Sequence, residues 1–527
     1  MPSEWKSDKE KAVALDNSRP FDVHRWSDFP EVNDAVDHIY EIFSGLDDFK
    51  GNKGIRKRHI KVVVLDLYVA HLVDPTMYIG CHRGRNKYSQ GRYNELHISF
   101  VSVAVVDALE SLGFVEVHKG YQSSDGRSRV SRTRALPKLI DLIQNDFKIT
   151  VEMVSYRDDR ECIILREKDD DDKKVNISYE DTEFTISARE RLTSYNELLN
   201  KTSITCEGYP RSGALNSDGR RLRIDPTNKF VERIFNNGTW DNGGRFYGGW
   251  WQYIQREWRK HIRINGEAVK EPDYSGHHIA ILYALEGIDY WLDENRDPYE
   301  LEGIEHSNRM RDLLKEMLLI ALNAKTRKAA LGALNQKISK NIKAWKKKEG
   351  TPDRDFRWVR EEKVSLGQLY DALIHTHSPI ADHIGSGIGV RLQNIDAAIA
   401  DRILTTCTDK GIPILSLHDG FVVPESAWKF VEQVMRDAYT DAIMTLTGMK
   451  ANASLSGTAT ELLVQLISKL EKSRKTKIVR IGGHNSSVPI GGGEELLKKL
   501  ADSVETETHI VGVGRGLMKR RISRKGS

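Results

Sequence analysis

Residues 414–423 read ILSLHDGFVV, an apolar run that is interrupted at its centre by a histidine, an aspartate and a glycine. Apolar runs on both sides of such a centre predict a hairpin of two buried β-strands with His418 and Asp419 at its tip. A carboxylate in apolar surroundings is costly unless its charge is compensated, and a divalent cation is a common partner. Asp419 is therefore a candidate metal ligand.

A second aspartate stands in a comparable place. Asp273 lies in the stretch EPDYSGHH (271–278), after an extended run at 261–264 and before a helical pattern at 279–285. This order predicts an acid at a strand end that faces a helix start. Two such carboxylates hold two Mg²⁺ ions about 4 Å apart in enzymes that transfer phosphoryl groups to a hydroxyl. Asp273 and Asp419 are distant in the chain, so only the fold can bring them together.

The segment between the two aspartates contains a predicted helix at 311–322. Arg311 and Lys315 are four positions apart and therefore lie on one face of this helix. Asn323 follows at its end. Two cations that face metal-bound carboxylates would suit the triphosphate of a nucleotide. The alternative is an ordinary surface pair on an amphipathic helix.

Together these elements resemble the right-hand polymerases, namely the family A DNA polymerases and the single-subunit RNA polymerases of phages and mitochondria. The resemblance covers about residues 225–460, and four elements follow in the family's order: DNGGR (241–245), DYS (273–275), the spacing of Arg311, Lys315 and Asn323, and HD (418–419). It implies an α+β right-hand polymerase fold, with an antiparallel palm sheet and helical fingers from about 295 to 375. It also implies template-directed nucleotidyl transfer with two Mg²⁺ ions, or Mn²⁺ in their place.

The resemblance assigns a role to individual residues. Asp273 and Asp419 are the catalytic metal ligands, and Lys315 is a catalytic proton donor to pyrophosphate. The nucleotide-binding residues that it implies are Arg311, Lys315, Asn323, His278 and Arg391. The template- and primer-binding residues that it implies are Arg245, Gln393 and His418.

Some positions depart from the family pattern and bear on the choice of sugar. Asn323 and Ala324 replace the aromatic residue and glycine that end the fingers helix, which puts nucleotide stacking in question. His278 stands where the DNA polymerases keep a bulky glutamate and the RNA polymerases a glycine, so it should exclude a 2′-hydroxyl. Arg391 replaces the ribose-reading histidine of the RNA polymerases.

Two further features are closer to the RNA polymerases: the aspartate of DNGGR and the short interval from Gln393 to His418. The balance favours DNA synthesis on a primed template, by a replication enzyme of a phage, plasmid or other mobile element. A single-subunit RNA polymerase or primase is the near alternative. The others are an inactive palm in a winged-helix initiator or regulator, and a template-independent nucleotidyltransferase.

The remaining segments are predicted from local patterns. Residues 1–52 are an N-terminal leader, 147–224 a connecting or thumb-like region, and 461–527 C-terminal helices, including one at 494–504, with a basic flexible tail. Residues 53–146 resemble a winged helix-turn-helix, which comprises a helix at 98–112, extended runs at 114–122 and 129–134, a turn at 123–128 and a closing helix at 136–144. Its basic tip would contact nucleic-acid phosphates through Arg127, Arg129, Arg132 and Arg134, or the domain would serve protein contacts alone.

The composition is typical of a globular protein with several domains, since 39% of the 527 residues are hydrophobic and 30% are charged. No apolar run approaches the roughly 20 residues that span a bilayer, and the polar N-terminus lacks a secretory signal. The four cysteines form no CxxC pair, which argues against a zinc site. We therefore expect a cytoplasmic protein without membrane contacts. Nine of the 24 residues at 325–348 are basic, and they either contact phosphates or form a solvated helix face.

Overall fold

The computed structural model describes residues 8–46, 49–85, 88, 91–122, 128–216, 221–293, 296–347, 354–448 and 455–456. The chain divides into two units, Met1–Glu461 and Leu462–Ser527, and all described residues belong to the first. The tip of the predicted wing at 123–127, with Arg127, lies outside the described residues. So do the predicted C-terminal helices and basic tail at 461–527.

Helices and strands are mixed along the described chain, which makes the fold α+β. The helices are α1 (Asp8–Asp16), α2 (Pro30–Ser44), α3 (Lys53–Val73), α4 (Val101–Ser111), α5 (Pro137–Asp141), α6 (Glu183–Lys201), α7 (Arg256–Arg259), α8 (His277–Leu285), α9 (Tyr290–Asp293), α10 (Asn308–Asn323), α11 (Arg327–Lys347), α12 (Arg357–Glu361), α13 (Leu366–Thr376), α14 (Gly389–Asp409) and α15 (Trp428–Thr447). None of the described helices combines the length and the apolar character needed to cross a bilayer.

The strands are short. They are β1 (Arg19–Pro20), β2 (Arg25–Trp26), β3 (Ile79–Cys81), β4 (Val115–His118), β5 (Tyr121–Gln122), β6 (Ser128–Arg129), β7 (Ser131–Ala135), β8 (Ser155–Tyr156), β9 (Ile163–Lys168), β10 (Lys174–Asn176), β11 (Ile204–Cys206), β12 (Ala214–Leu215), β13 (Arg221–Leu222), β14 (Val231–Phe235), β15 (Gly243–Gly248), β16 (Ile262–Ile264), β17 (Val269–Lys270), β18 (Asp273–Tyr274), β19 (Leu415–Ser416), β20 (Phe421–Pro424) and β21 (Leu455–Ser456). The larger sheets have the strand orders β1-β3-β7-β4, β10-β9-β14-β15 and β17-β20-β19.

Two large hydrophobic cores organise the described residues. The first contains buried side chains between Val32 and Val154, and it joins α2, α3 and α4 to the sheet that contains β3, β4 and β7. The second contains buried side chains between Cys162 and Ile443. The segment 147–224 contributes to both, since its first buried residues belong to the first core and β9 and α6 belong to the second. The strands around Asp273 and Asp419 are therefore packed in the second core.

The order of elements in the N-terminal core agrees with the local predictions for 98–144. Helix α4 is followed by β4, which pairs antiparallel with β7, and α5 comes next. The closing helix continues as a π-helix over Leu142–Asp146. The interpretation of this segment as a winged helix-turn-helix stays a prediction.

Helix α14 packs in the second core, and ion pairs of Asp401 join it to the sheet that contains β14 and to α6. The carboxylate Oδ2 of Asp401 lies 3.0 Å from Arg233 Nη1 and 2.6 Å from Arg191 Nη2. Arg233 is in β14 and Arg191 is in α6, so one carboxylate joins three elements. This contact fixes α14, whose N-terminal half contributes to the candidate site, against β14 and α6.

Candidate active site

One antiparallel ladder brings Asp273 and Asp419 together. Strands β17 and β20 are antiparallel, and the bridge between Asp273 and Gly420 continues their register. The Phe421 N–H donates to the Pro272 carbonyl at 3.0 Å in the same register. Because Gly420 directly follows Asp419, the Cα atoms of the two aspartates are no more than about 8 Å apart.

The hairpin predicted for 414–423 is confirmed. Strands β19 and β20 pair antiparallel, and the Leu417 N–H donates to the Gly420 carbonyl at 3.0 Å, which leaves His418 and Asp419 as the two tip residues. The backbone of Gly420 is closely approached by Asp273. A Cβ there would lie 3.0 Å from the Pro272 carbonyl oxygen and 3.1 Å from Asp273 Oδ1, so any other residue would require these neighbours to shift.

The two carboxylates act on each other electrostatically. Burial, followed by the negative charge of Asp419, raises the pKa of Asp273 from 3.8 to about 7. His277 and Arg256 oppose this shift but do not cancel it. Two like charges held at one strand tip are costly, and a cation bound between them would remove the cost.

The donor set suits magnesium. Within the described part of the chain, no group of three or more His, Cys, Asp or Glu side chains forms a metal cluster. Magnesium ions are commonly held by one or two carboxylates, with water and substrate phosphates in the other positions. The carboxylates of Asp273 and Asp419 therefore fit Mg²⁺, which accepts hard oxygen ligands and needs no third protein side chain.

A second group of charges, here called the Asp396 cluster, consists of Arg245, His277, His278 and Asp396. Arg245 Nε donates to Asp396 Oδ2 at 2.8 Å, and Arg245 Nη2 lies 3.3 Å from His278 Nε2. His277 Nε2 lies 3.3 Å from Asp396 Oδ1. Burial alone would raise the pKa of Asp396, but His277 and Arg245 outweigh it and lower that pKa to about 2. Asp396 is thus an ionised, buried anchor for the side chains around it.

The sequence analysis missed Asp396, although a signal for it exists. It lies in α14 next to Ile395, and the buried apolar residues Leu392 and Ile399 recur around it at helical spacing. An acid within the apolar stripe of a helix requires a cationic partner. Nothing local identifies that partner, because Arg245 is in β15, 151 residues away.

The helix predicted at 311–322 is confirmed as α10, which begins after the capping residue Ser307. Arg311 Nε lies 2.5 Å from Asp297 Oδ2, and Arg311 and Lys315 both lie over the ring of Tyr299, at 5.1 and 5.3 Å from its centroid. Burial raises the pKa of Tyr299 to about 12, with the charges of Asp297 and Asp419 adding to the shift. Arg311 and Lys315 therefore share one tyrosine, whose pKa the charge of Asp419 also raises.

Burial and the neighbouring charge of Arg311 lower the pKa of Lys315. An ammonium group with a lowered pKa gives up its proton more readily at neutral pH, which suits a general acid. The sequence analysis did not identify Tyr299 or Asp297, because neither residue belongs to a pattern that indicates a site.

Four other predicted residues have different surroundings. The His418 ring packs edge-to-face on Tyr247, with the centroids 5.5 Å apart. Asn323 Nδ2 donates to the Leu319 carbonyl at 2.8 Å, and a Cβ at Gly389 would displace the Asn323 side chain. Helix α14 begins at Gly389, before Gln393, which was predicted to head it; Arg391 is exposed and Gln393 half-buried. Among the described contacts, none joins Asn323, Arg391 or Gln393 to the carboxylate pair.

Comparison with known proteins identified no family for the chain. The chain matches no protein-family model, and no curated protein matches it. The resemblance to right-hand polymerases rests on the motifs and stays a prediction.

Proposed function

We propose that the protein is a template-directed nucleic-acid polymerase that extends a primer on DNA and replicates a phage, plasmid or other mobile element in the cytoplasm. The single observation that carries this proposal is the ladder that sets Asp273 opposite Gly420, next to Asp419. Two carboxylates on adjacent strands, beside a helix with two cations, are the parts that two-metal phosphoryl transfer requires.

Two Mg²⁺ ions, when bound to this carboxylate pair, would activate the attacking 3′-hydroxyl and stabilise the leaving pyrophosphate. The protein's own residues supply charge and position. Arg311 and Lys315 are held over Tyr299, from where they would neutralise the triphosphate. The lowered pKa of Lys315 suits proton transfer to pyrophosphate.

The template–primer would lie against the opposite wall of the site. Arg245 extends from β15 and is held in place by Asp396, so its guanidinium is preorganised to contact the strand near the reacting end. His418 is exposed at the hairpin tip beside Asp419, where it would support the primer terminus. Gln393 is one turn before Asp396 on α14 and would contact the template.

His278 is the residue that we propose sets the sugar preference. This side chain is half-buried and lies 3.3 Å from Arg245, so its ring has little freedom to move away from a ribose. We propose that it excludes the 2′-hydroxyl and that deoxynucleotides are preferred. RNA synthesis, by a small transcriptase or primase, is the competing proposal. It is tested beside DNA synthesis because Asn323 and Arg391 depart from the family pattern.

A primer-extension assay tests the function. Wild-type protein is incubated with a primed DNA template, Mg²⁺ and either deoxynucleotides or ribonucleotides, beside Asp419→Asn and a control, Asp409→Asn. Asp409 is an exposed aspartate at the end of α14. We expect extension by wild type and by the control, with deoxynucleotides preferred, and none by Asp419→Asn.

Each other outcome removes a specific part of the proposal. Extension by Asp419→Asn at the wild-type rate would end the two-metal assignment. Incorporation of ribonucleotides alone would replace the DNA polymerase by an RNA polymerase. Extension that ignores the template sequence would indicate a template-independent transferase. DNA binding without any extension would indicate an inactive palm in a winged-helix initiator or regulator.

A further inference from the structure

A basic cavity of about 290 Å³ lies beside the ladder that β17 and β20 form. Four of its lining side chains are cations and one is an acid: Arg256, Arg259, Lys260, Lys270 and Glu271. Liquid water occupies about 30 Å³ per molecule, so the cavity has room for about ten waters. That is ample for a phosphate group and part of its sugar.

The charges of the basic cavity are only partly compensated. Arg259 Nη1 lies 3.0 Å from Glu271 Oε1, and Lys270 Nζ lies 3.0 Å from Glu425 Oε1. Arg256 and Lys260 form no ion pair with any described residue, and both are exposed. Cations that lack a protein counter-charge around a cavity favour an anionic ligand.

The cavity lies on the same ladder as the carboxylate pair. Glu271 precedes Asp273 by two positions, so the two side chains share a face of the strand and are separated by about 7 Å along it. A ligand in the cavity would therefore be next to the group that reacts at Asp273.

We propose that this basic cavity binds a backbone phosphate of the nucleic-acid strand whose end reacts at the carboxylate pair, an assignment that rests on the proposed polymerase function. A phosphodiester carries one negative charge and fits the forked donors of arginine. Such contacts fix the register of a strand without reading its sequence. Arg256 and Lys260 would hold the phosphate, and Glu271 would keep Arg259 oriented.

The test measures binding without chemistry. A fluorescein-labelled primer–template DNA is titrated with full-length protein, without Mg²⁺ or nucleotides, from about 50 to about 200 mM salt. Arg256→Gln with Lys260→Gln is compared with Lys410→Gln plus Lys429→Gln, two exposed lysines outside the cavity lining. We expect the slope of the logarithm of the DNA-binding constant against log salt to shrink by about 2 in Arg256→Gln with Lys260→Gln, here called the cavity variant. The slope should stay unchanged in the lysine control, Lys410→Gln plus Lys429→Gln.

A charge-conserving variant separates charge from folding. Arg256→Lys with Lys260→Arg keeps both cations and should keep the wild-type slope. Equal slopes in the cavity variant and wild type would overturn the assignment. The assignment would also be overturned if Arg256→Gln with Lys260→Gln lost the binding of sodium pyrophosphate but kept the wild-type slope for DNA. The cavity would then bind a free anion. A smaller slope in a protein that extends no primer would leave the cavity assignment standing and remove only the polymerase.

Discussion

The Asp396 cluster and the Asp273–Asp419 pair are built around a buried acid and two half-buried acids, and their charges are arranged in opposite ways. Asp396 is surrounded by Arg245 and two histidines, which lower its pKa to about 2. Asp273 is beside another carboxylate, and its pKa is raised to about 7. A compensated charge stabilises the scaffold, whereas two like charges held together favour the binding of a cation. The difference suits Asp396 to positioning other side chains and the carboxylate pair to the proposed metal binding.

The largest expected effect concerns the Asp273–Asp419 pair. Asp273→Asn keeps the size of the side chain but removes a metal ligand that supplies several kcal/mol of charge stabilisation. We expect kcat for primer extension to fall on the order of 10³-fold or more, while the melting temperature at pH 8 stays the same or rises, since a like-charge contact is lost. Steady-state kinetics and thermal melting measure the two quantities. A variant that loses activity only because it unfolds would contradict this separation.

The second prediction concerns the Asp396 cluster. Asp396→Asn leaves the half-buried Arg245 without its carboxylate, and breaking a buried pair costs about 3 kcal/mol. We expect a loss of that size in the free energy of unfolding, measured by urea titration. Asp409→Asn, on the exposed end of the same helix, should change it by less than about 0.5 kcal/mol. If both substitutions have the same small effect, Asp396 is not an anchor.

The third prediction concerns pH and metal together. Because the pKa of Asp273 is raised from 3.8 to about 7, its contribution to stability is present below about pH 4 and is lost as the pH rises through 7. Mg²⁺ binds the ionised pair, so it should stabilise the protein more at pH 8 than at pH 5. At about 100 times Kd the gain is about 2.7 kcal/mol. Melting curves with and without Mg²⁺ measure it, and Asp273→Asn should abolish the difference between the two pH values. An equal gain in that variant would place the metal elsewhere.

The smallest expected effect concerns His278, which contacts the Asp396 cluster and borders the site. His278→Gly should raise the use of ribonucleotides relative to deoxynucleotides by about tenfold, or about 1.4 kcal/mol, because the bulk that faces the 2′-position is gone. His278→Gln keeps most of that bulk and should stay selective. The ratio of kcat/KM for the two sugars is the measurement. Unchanged selectivity in the glycine variant would remove His278 from the role of gate.

Local patterns predicted several elements of the site. The hairpin at 414–423 was predictable because apolar residues flank a short polar centre, and α10 because its apolar positions recur at helical spacing with Arg311 and Lys315 on one face. The basic cavity was not predictable. It is lined by α7, β17 and the residues beside them, which are close in sequence, and by Val422 of β20, which is remote in sequence and closes the cavity only when β20 pairs with β17.

The partners of the charged residues also escaped prediction. Nothing near Arg245 in the sequence indicates that its partner is Asp396, and nothing near Lys315 indicates Tyr299. Ion pairs and ring contacts depend on the meeting of separate elements, which no local spacing encodes. The roles predicted for Arg391, Gln393 and Asn323 stay predictions, because they concern substrates.

The amino-acid sequence by itself predicted some of the helices and strands, among them α4, α10 and the hairpin of β19 and β20, and it placed Asp273 and Asp419 at strand tips. Such predictions succeed because hydrophobic periodicity and turn residues act over a few positions. Only the tertiary structure decided that the two acids share a ladder through Gly420, and that the surroundings of Asp396 lower its pKa while those of Asp273 raise it. The physical reason is that electrostatic energy depends on distances through space and on burial. Both are set when remote strands pair and pack.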